Sequence, residues 1–140
     1  MREVRQAGAV AIRGRCLLIE GEPGCGKSSL ALALIDRGAE LIGDDGVTLQ
    51  LLGGRVHATP PPNTAGLIEI RNVGIVTLPT TEAPVALVLR LDQQAPRHIE
   101  MAEPLELLGQ RIPFLRLHPA MWPLPLRAEW ALEKYGLALP

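Results

Sequence analysis

Aromatic residues are scarce in this chain: Phe, Tyr and Trp make up 3% of its 140 residues. A core built without large rings has to be filled by Leu, Ile, Val and Ala, and 47% of the residues are hydrophobic. That apolar content excludes a disordered chain. Charge of either sign in excess is also missing. Fourteen basic and 15 acidic residues leave a net charge of −1, so no electrostatic case exists for a nucleic-acid or membrane partner. There is no window of about 18 apolar residues, and Met1 is not followed by a basic segment and apolar run of the secretory kind. A cytoplasmic protein is the expectation. Only two cysteines occur, Cys16 and Cys25. A bridge between them would distort the glycine-rich segment holding Cys25, so reduced thiols are expected. His57, His98 and His118 share no ligand spacing with one another or with the cysteines, which argues against a structural metal site. With no repeat, coiled coil or linker, residues 1–140 read as one domain.

What the chain does have is the segment IEGEPGCGKSSL, from Ile19 to Leu30. Gly21, Gly24, Gly26, Lys27 and Ser28 fit G-x-x-x-x-G-K-[ST], the phosphate-binding loop pattern. The chemistry requires these residue types in this order. Glycines allow the backbone through Glu22, Pro23, Gly24, Cys25 and Gly26 to turn sharply and aim N–H groups at phosphate oxygens. The helix that follows, starting near Lys27, Ser28 and Ser29, directs its positive dipole end at the same anion. Lys27 supplies a mobile cation for the β and γ phosphates, and the Ser28 hydroxyl is placed to ligate Mg²⁺. The flanks support the pattern: CLLIEG reads as a buried strand, and SSLALALIDRG as a helix with Leu30, Leu34 and Ile35 on one face and Gly38 at its end.

The rest of the chain reads as strands and hairpins. Residues 4–12 alternate as one strand, Arg13-Gly14 make a turn, and Arg15 to Glu20 return into the loop. Ala39 to Ile42 is a short strand ending at Gly43-Asp44-Asp45-Gly46. Val47 to Leu52 and Arg55 to Ala58 form a hairpin on Gly53-Gly54. Leu67 to Arg71 and Gly74 to Leu78 flank Asn72, and Val85 to Leu91 is a strand. Between Gln93 and Gln110 the pattern is weak, with a helical turn at Leu105 to Leu108, and Ile112 to Leu117 is a strand. Pro119, Pro123 and Pro125 delay a terminal helix to Leu126–Tyr135, capped by Gly136. The fold class is α/β, a mixed, hairpin-rich sheet with one main helix behind the phosphate loop.

Asp44 and Asp45 fall at the C-terminal end of an apolar strand, the edge where ligands sit in open α/β sheets. One carboxylate there can hold Mg²⁺ and its neighbour can take a proton from an attacking hydroxyl. An ordinary Asp-Gly turn is the alternative. Glu69, inside LIEIR, either faces solvent by strand alternation or reaches a metal.

Three segments in order, GEPGCGKSS, LIDRGAELIGDD and AGLIEIRNVGI, together resemble the catalytic domain of the HPr kinase/phosphorylase family, in a short form without the N-terminal domain. The resemblance runs from about Val4 to Val76. It implies a P-loop kinase fold related to that of phosphoenolpyruvate carboxykinase, and transfer of phosphate from ATP, with Mg²⁺, to a serine of HPr or an HPr-like phosphocarrier. Many members also run the reverse phosphorolysis. The resemblance gives Lys27 and Ser28 their phosphate and magnesium roles, makes Asp45 the proton acceptor with Asp44 its partner, and makes Glu69 a second magnesium ligand. It matches Arg97 to a late active-site arginine. Full-length members are hexamers, which leaves a homo-oligomer open. Three departures stand out. Gln6 takes the place of an active-site histidine and cannot shuttle a proton; Asn72 replaces the glycine after EIR; and IPFLRLHP occupies the position of a segment associated with phosphorolysis. Gln6 and the replaced late segment support the rival expectation, a nucleotide-binding sensor module with little or no phosphotransfer.

Overall fold

The computed structural model describes residues 1–140. Its centre is the hairpin of β2 (Gly8–Ile12) and β3 (Arg15–Gly21), turned at Arg13 and Gly14, both with positive φ. Alternation along these strands divides the core in two. Ala9, Ala11, Cys16 and Leu18 join one 16-residue buried cluster, and Val10, Ile12, Leu17 and Ile19 join another on the opposite face. A strand buried on both faces needs a continuous apolar run, and CLLI is one. The second face is covered by α1 (Lys27–Asp36), which contributes Leu30, Ala31 and Leu34. This helix ends where Gly38 takes φ 106°, a left-handed conformation that suits glycine.

Three more strands follow α1. β4 (Glu40–Gly43) pairs antiparallel with β2, and β5 (Val47–Leu52) forms the expected hairpin with β6 (Arg55–Thr59) across Gly53-Gly54. The expected single strand over residues 4–12 is divided. Arg2–Arg5 form β1, which pairs with β5 in the register Arg2↔Gln50, while β2 pairs with β3. Both pieces read as strand, so the sequence pattern could not reveal that they serve different partners. β9 (Ala83–Leu91) is the hub. One edge pairs parallel with β3; the other pairs first with β6, at Ala83 and Pro84, then parallel with β11 (Gln110–Leu117) from Val88 onward. The order is therefore β1-β5-β6-β9-β3-β2-β4, with β11 branching from β9.

The weak region needs correction. Residues 103–107 form β10 (Glu103–Leu107), an edge strand on β11 rather than a helical turn. Pro104 faces Pro113 across that pair, before the β11–β9 register begins at Phe114. At these positions neither missing N–H interrupts a ladder, so the prolines do not stop the strand. The terminal helix α2 runs Leu124–Tyr135, two residues earlier than expected. Pro125 sits in its first turn, where an unpaired N–H is not needed. Ala128, Ala131 and Leu132 pack it beside α1. β7 (Leu67–Ile70) and β8 (Gly74–Thr77) make a separate hairpin, turned at Asn72 with φ 69°. No helix is long and apolar enough to cross a membrane.

Candidate active site

Sheet topology brings the glycine-rich loop and the acidic turn together. β2 lies between β3 and β4 and runs opposite to both, with Ala9 facing Leu18 on one side and Gly43 on the other. β3 and β4 are thus parallel, and their C-terminal ends leave the sheet at one edge. The turn after β4 depends on Gly43, where a Cβ would collide with the Gly46 carbonyl oxygen.

Asp44 joins the parts of the site. Its carboxylate accepts a 2.6 Å hydrogen bond from the Ser28 hydroxyl and a 3.1 Å bond from the backbone N–H of Glu69. One side chain thereby connects the start of α1, the acidic turn and the β7–β8 hairpin. Asp45 is exposed, with φ 58°, and engages neither Ser28 nor Glu69. Glu69 is also exposed. Of the residues read from sequence as a metal set, Ser28, Asp45 and Glu69 lie around Asp44, and Asp44 makes the contacts.

The loop itself is shaped for an anion. Gly24 and Gly26 have φ of 79° and 108°, and a Cβ at either would meet no atom within 4 Å, so the space above the loop is open. Gly21 is tighter: a Cβ would lie 2.5 Å from Cys25 Sγ and 3.1 Å from the Leu91 carbonyl oxygen. The Lys27 ammonium donates to the carbonyls of Gly21 (2.8 Å) and Glu22 (3.2 Å), folding back over the loop. A phosphate oxygen would be a stronger acceptor than either carbonyl. The oxygen donors also suit Mg²⁺. No three or more His, Cys, Asp or Glu residues are gathered into a ready-made cage, and Mg²⁺ is ordinarily held by one or two carboxylates together with substrate phosphates and water.

Sequence reasoning missed Glu20. It is buried, 6% exposed, at the end of β3 directly before the loop. Arg5 Nε donates to it at 2.7 Å and Arg90 Nη2 at 3.0 Å. The signal was present: Glu20 continues the Cys16, Leu18 alternation toward the interior, where a carboxylate requires partners. Arg5, Gln6, Glu20, Arg90 and the loop surround a cleft of about 980 Å³. Arg97 is elsewhere. It lines a different cleft against α2, and the structure does not bring it to the loop. Cys16 and Cys25 are both free thiols, and burial pushes the Cys16 thiol well up from its ordinary value.

A profile described as HPr Serine kinase C-terminal domain matches residues 2–83, more than half of the chain. The chain belongs to this family. Among its relatives, the HPr kinase/phosphorylase of Clostridium novyi is 37% identical over 103 residues, covering 67% of this chain and 34% of that protein. The HPr kinase/phosphorylase of Clostridium tetani is 41% identical over 71 residues, covering 51% and 23% respectively. The chain thus spans about a third or less of the length of these relatives. The Hpr(Ser) kinase/phosphatase from Coxiella burnetii matches in structure with a TM-score of 0.83 at 28% identity, over 94% of this chain and 88% of that one. The α/β fold expected from the phosphate loop is that of this family.

Proposed function

We propose that this chain is a cytoplasmic, ATP- and Mg²⁺-dependent serine kinase that phosphorylates HPr or an HPr-like phosphocarrier. The carrying observation is the Asp44 carboxylate, bonded at once to the phosphate-loop Ser28 and to the backbone of Glu69. The loop amides and Lys27 cradle the triphosphate, and Lys27 exchanges its two loop carbonyls for phosphate oxygens. Ser28, Asp44, Asp45 and Glu69 supply oxygen ligands for Mg²⁺, which when bound neutralises charge on the phosphates. Asp45, free of the two bonds that occupy Asp44, receives the proton of the attacking serine hydroxyl. The process is positioning and electrostatics, without a covalent enzyme intermediate.

Gln6 favours a second reading. It lines the cleft beside the loop, where the family resemblance calls for histidine, and it cannot carry a proton. On this reading the chain binds nucleotide and a partner but transfers little phosphate. One experiment separates the two: labelled ATP, Mg²⁺ and purified HPr are incubated with wild type, Asp45→Asn and Gln6→His. Phosphoserine formed by wild type and lost in Asp45→Asn supports the kinase. Phosphoserine formed only by Gln6→His refutes it in favour of the sensor.

A further inference from the structure

The cleft that holds Arg97 has no part in the reading above, and its chemistry is distinctive. It encloses about 680 Å³ between the loop after β9, the end of β11 and one face of α2. Arg97, Arg116, His118, Arg127 and Lys134 line it, and no carboxylate does. In a chain of net charge −1 this segregation requires a cause, and α2 supplies it. Glu129 of this helix is drawn to Arg37 (2.9 Å), and Glu133 to Arg15 (3.5 Å). Arg127, Trp130, Ala131 and Lys134 recur at helical spacing toward the cleft. Arg97, Arg127 and Lys134 have no acidic partner within 4.0 Å, unlike Arg116, which meets Asp92 and Glu103. The His118 Nδ1 accepts the Ala120 N–H at 3.1 Å, which leaves Nε2 as the ring's donor. Leu115, Leu117 and Ala131 form an apolar floor, and Trp130 and Tyr135 add flat walls.

We propose that this cleft binds a small organic anion: a flat or apolar body carrying carboxylate or phosphoryl groups. The volume lies in the range of small-molecule sites. Unpaired guanidinium groups fit carboxylate and phosphate bidentately, and the aromatic walls take the body of the ligand. The site is separate from the phosphate loop, so it does not depend on the proposed kinase activity.

The test uses 8-anilino-1-naphthalenesulfonate, an aromatic anion, with its uncharged counterpart N-phenyl-1-naphthylamine. Trp122→Phe leaves Trp130 as the one tryptophan, and energy transfer from it reports occupancy of this cleft. The sulfonate is expected to bind one saturable site. Its affinity should fall roughly tenfold or more in Arg127→Gln/Lys134→Gln and should decrease with salt. Phthalate should displace it, and Mg²⁺-ATP should not. The double variant is compared by circular dichroism melting, and Trp130→Ala, altered at an exposed position, provides a second test in which the extrinsic dye signal must also weaken. Equal binding of the uncharged amine, or unchanged affinity in both variants, overturns the proposal. So does displacement by Mg²⁺-ATP. Displacement by hexaglutamate at lower concentration than phthalate also overturns it, and assigns the face to an acidic protein segment.

Discussion

Replacing Asp44 by Asn changes one oxygen to an amide nitrogen and removes a charge, at a side chain with two defined donors. The retained oxygen can still accept from Ser28, as a neutral acceptor instead of a charged one. The amide nitrogen then confronts the Glu69 N–H, donor against donor. Bonds to a charged group contribute about 1.5–3 kcal/mol and neutral ones about 0.5–1.5 kcal/mol. Glu69 is exposed, so its N–H regains water and the loss falls at the low end. The sum is about 2 kcal/mol, or about 6 °C in Tm for a chain of this size. Asp44→Ala loses both bonds without a clash, so Asn should be no better tolerated than Ala. The internal control is Asp45→Asn, at φ 58°, where Asn is well suited to left-handed backbone and Tm should hold. Melting with Mg²⁺-ADP extends the test. At 100 times the dissociation constant wild type gains about 2.7 kcal/mol. A roughly 30-fold weaker Asp44→Asn gains about 0.9 kcal/mol at the same concentration. If the two Asn variants melt alike and show the same nucleotide-induced rise, Asp44 does not join the loop to the hairpin and the site as described is wrong.

Three further outcomes are expected. Gly21→Ala places a Cβ 2.5 Å from Cys25 Sγ and 3.1 Å from the Leu91 carbonyl, so ADP binding by calorimetry should be lost; retained affinity would show that the loop does not need this close approach. Glu20→Gln removes the anion shared by Arg5 and Arg90. Both guanidiniums reach solvent, so the cost is discounted from that of a buried pair to about 2 kcal/mol, read as a lower urea midpoint at unchanged slope; an unchanged midpoint would deny Glu20 its role. Burial raises the Cys16 thiol above its ordinary value of 9.0. The folded chain therefore keeps a proton that the unfolded chain releases. Stability should be unaffected by this group below pH 9.0 and fall as pH rises beyond it, by about 1.4 kcal/mol per unit. Cys16→Ala should remove that slope, and a thiol reagent should label Cys25 alone in the native protein.

Local chemistry was legible in residue order. The phosphate loop, the helix behind it and the Gly53-Gly54 hairpin each follow from spacing or from glycine's access to positive φ. The acidic pair Asp44-Asp45 was also visible at the end of a short strand. Which aspartate meets Ser28 was not. That depends on the backbone turning left-handed at Asp45, leaving Asp44 to meet Ser28.

Long-range pairing was hidden wherever local signals were neutral or misleading. Residues 4–12 read as one strand, yet β1 and β2 pair with different strands. The weak pattern between Gln93 and Gln110 hid β10, where Pro104 stands opposite Pro113 at the sheet edge. Arg97 carries no local signal of its neighbours, and the chain path after β9 takes it to the cleft beside α2. Sequence alone therefore determined the glycine-rich loop and the helix behind it, since backbone conformation within about ten residues is a local property. Only the tertiary structure decided that β2 would run between two parallel strands and deliver the acid to that loop. Pairing partners are chosen by the burial of both faces of the sheet, which no single segment encodes.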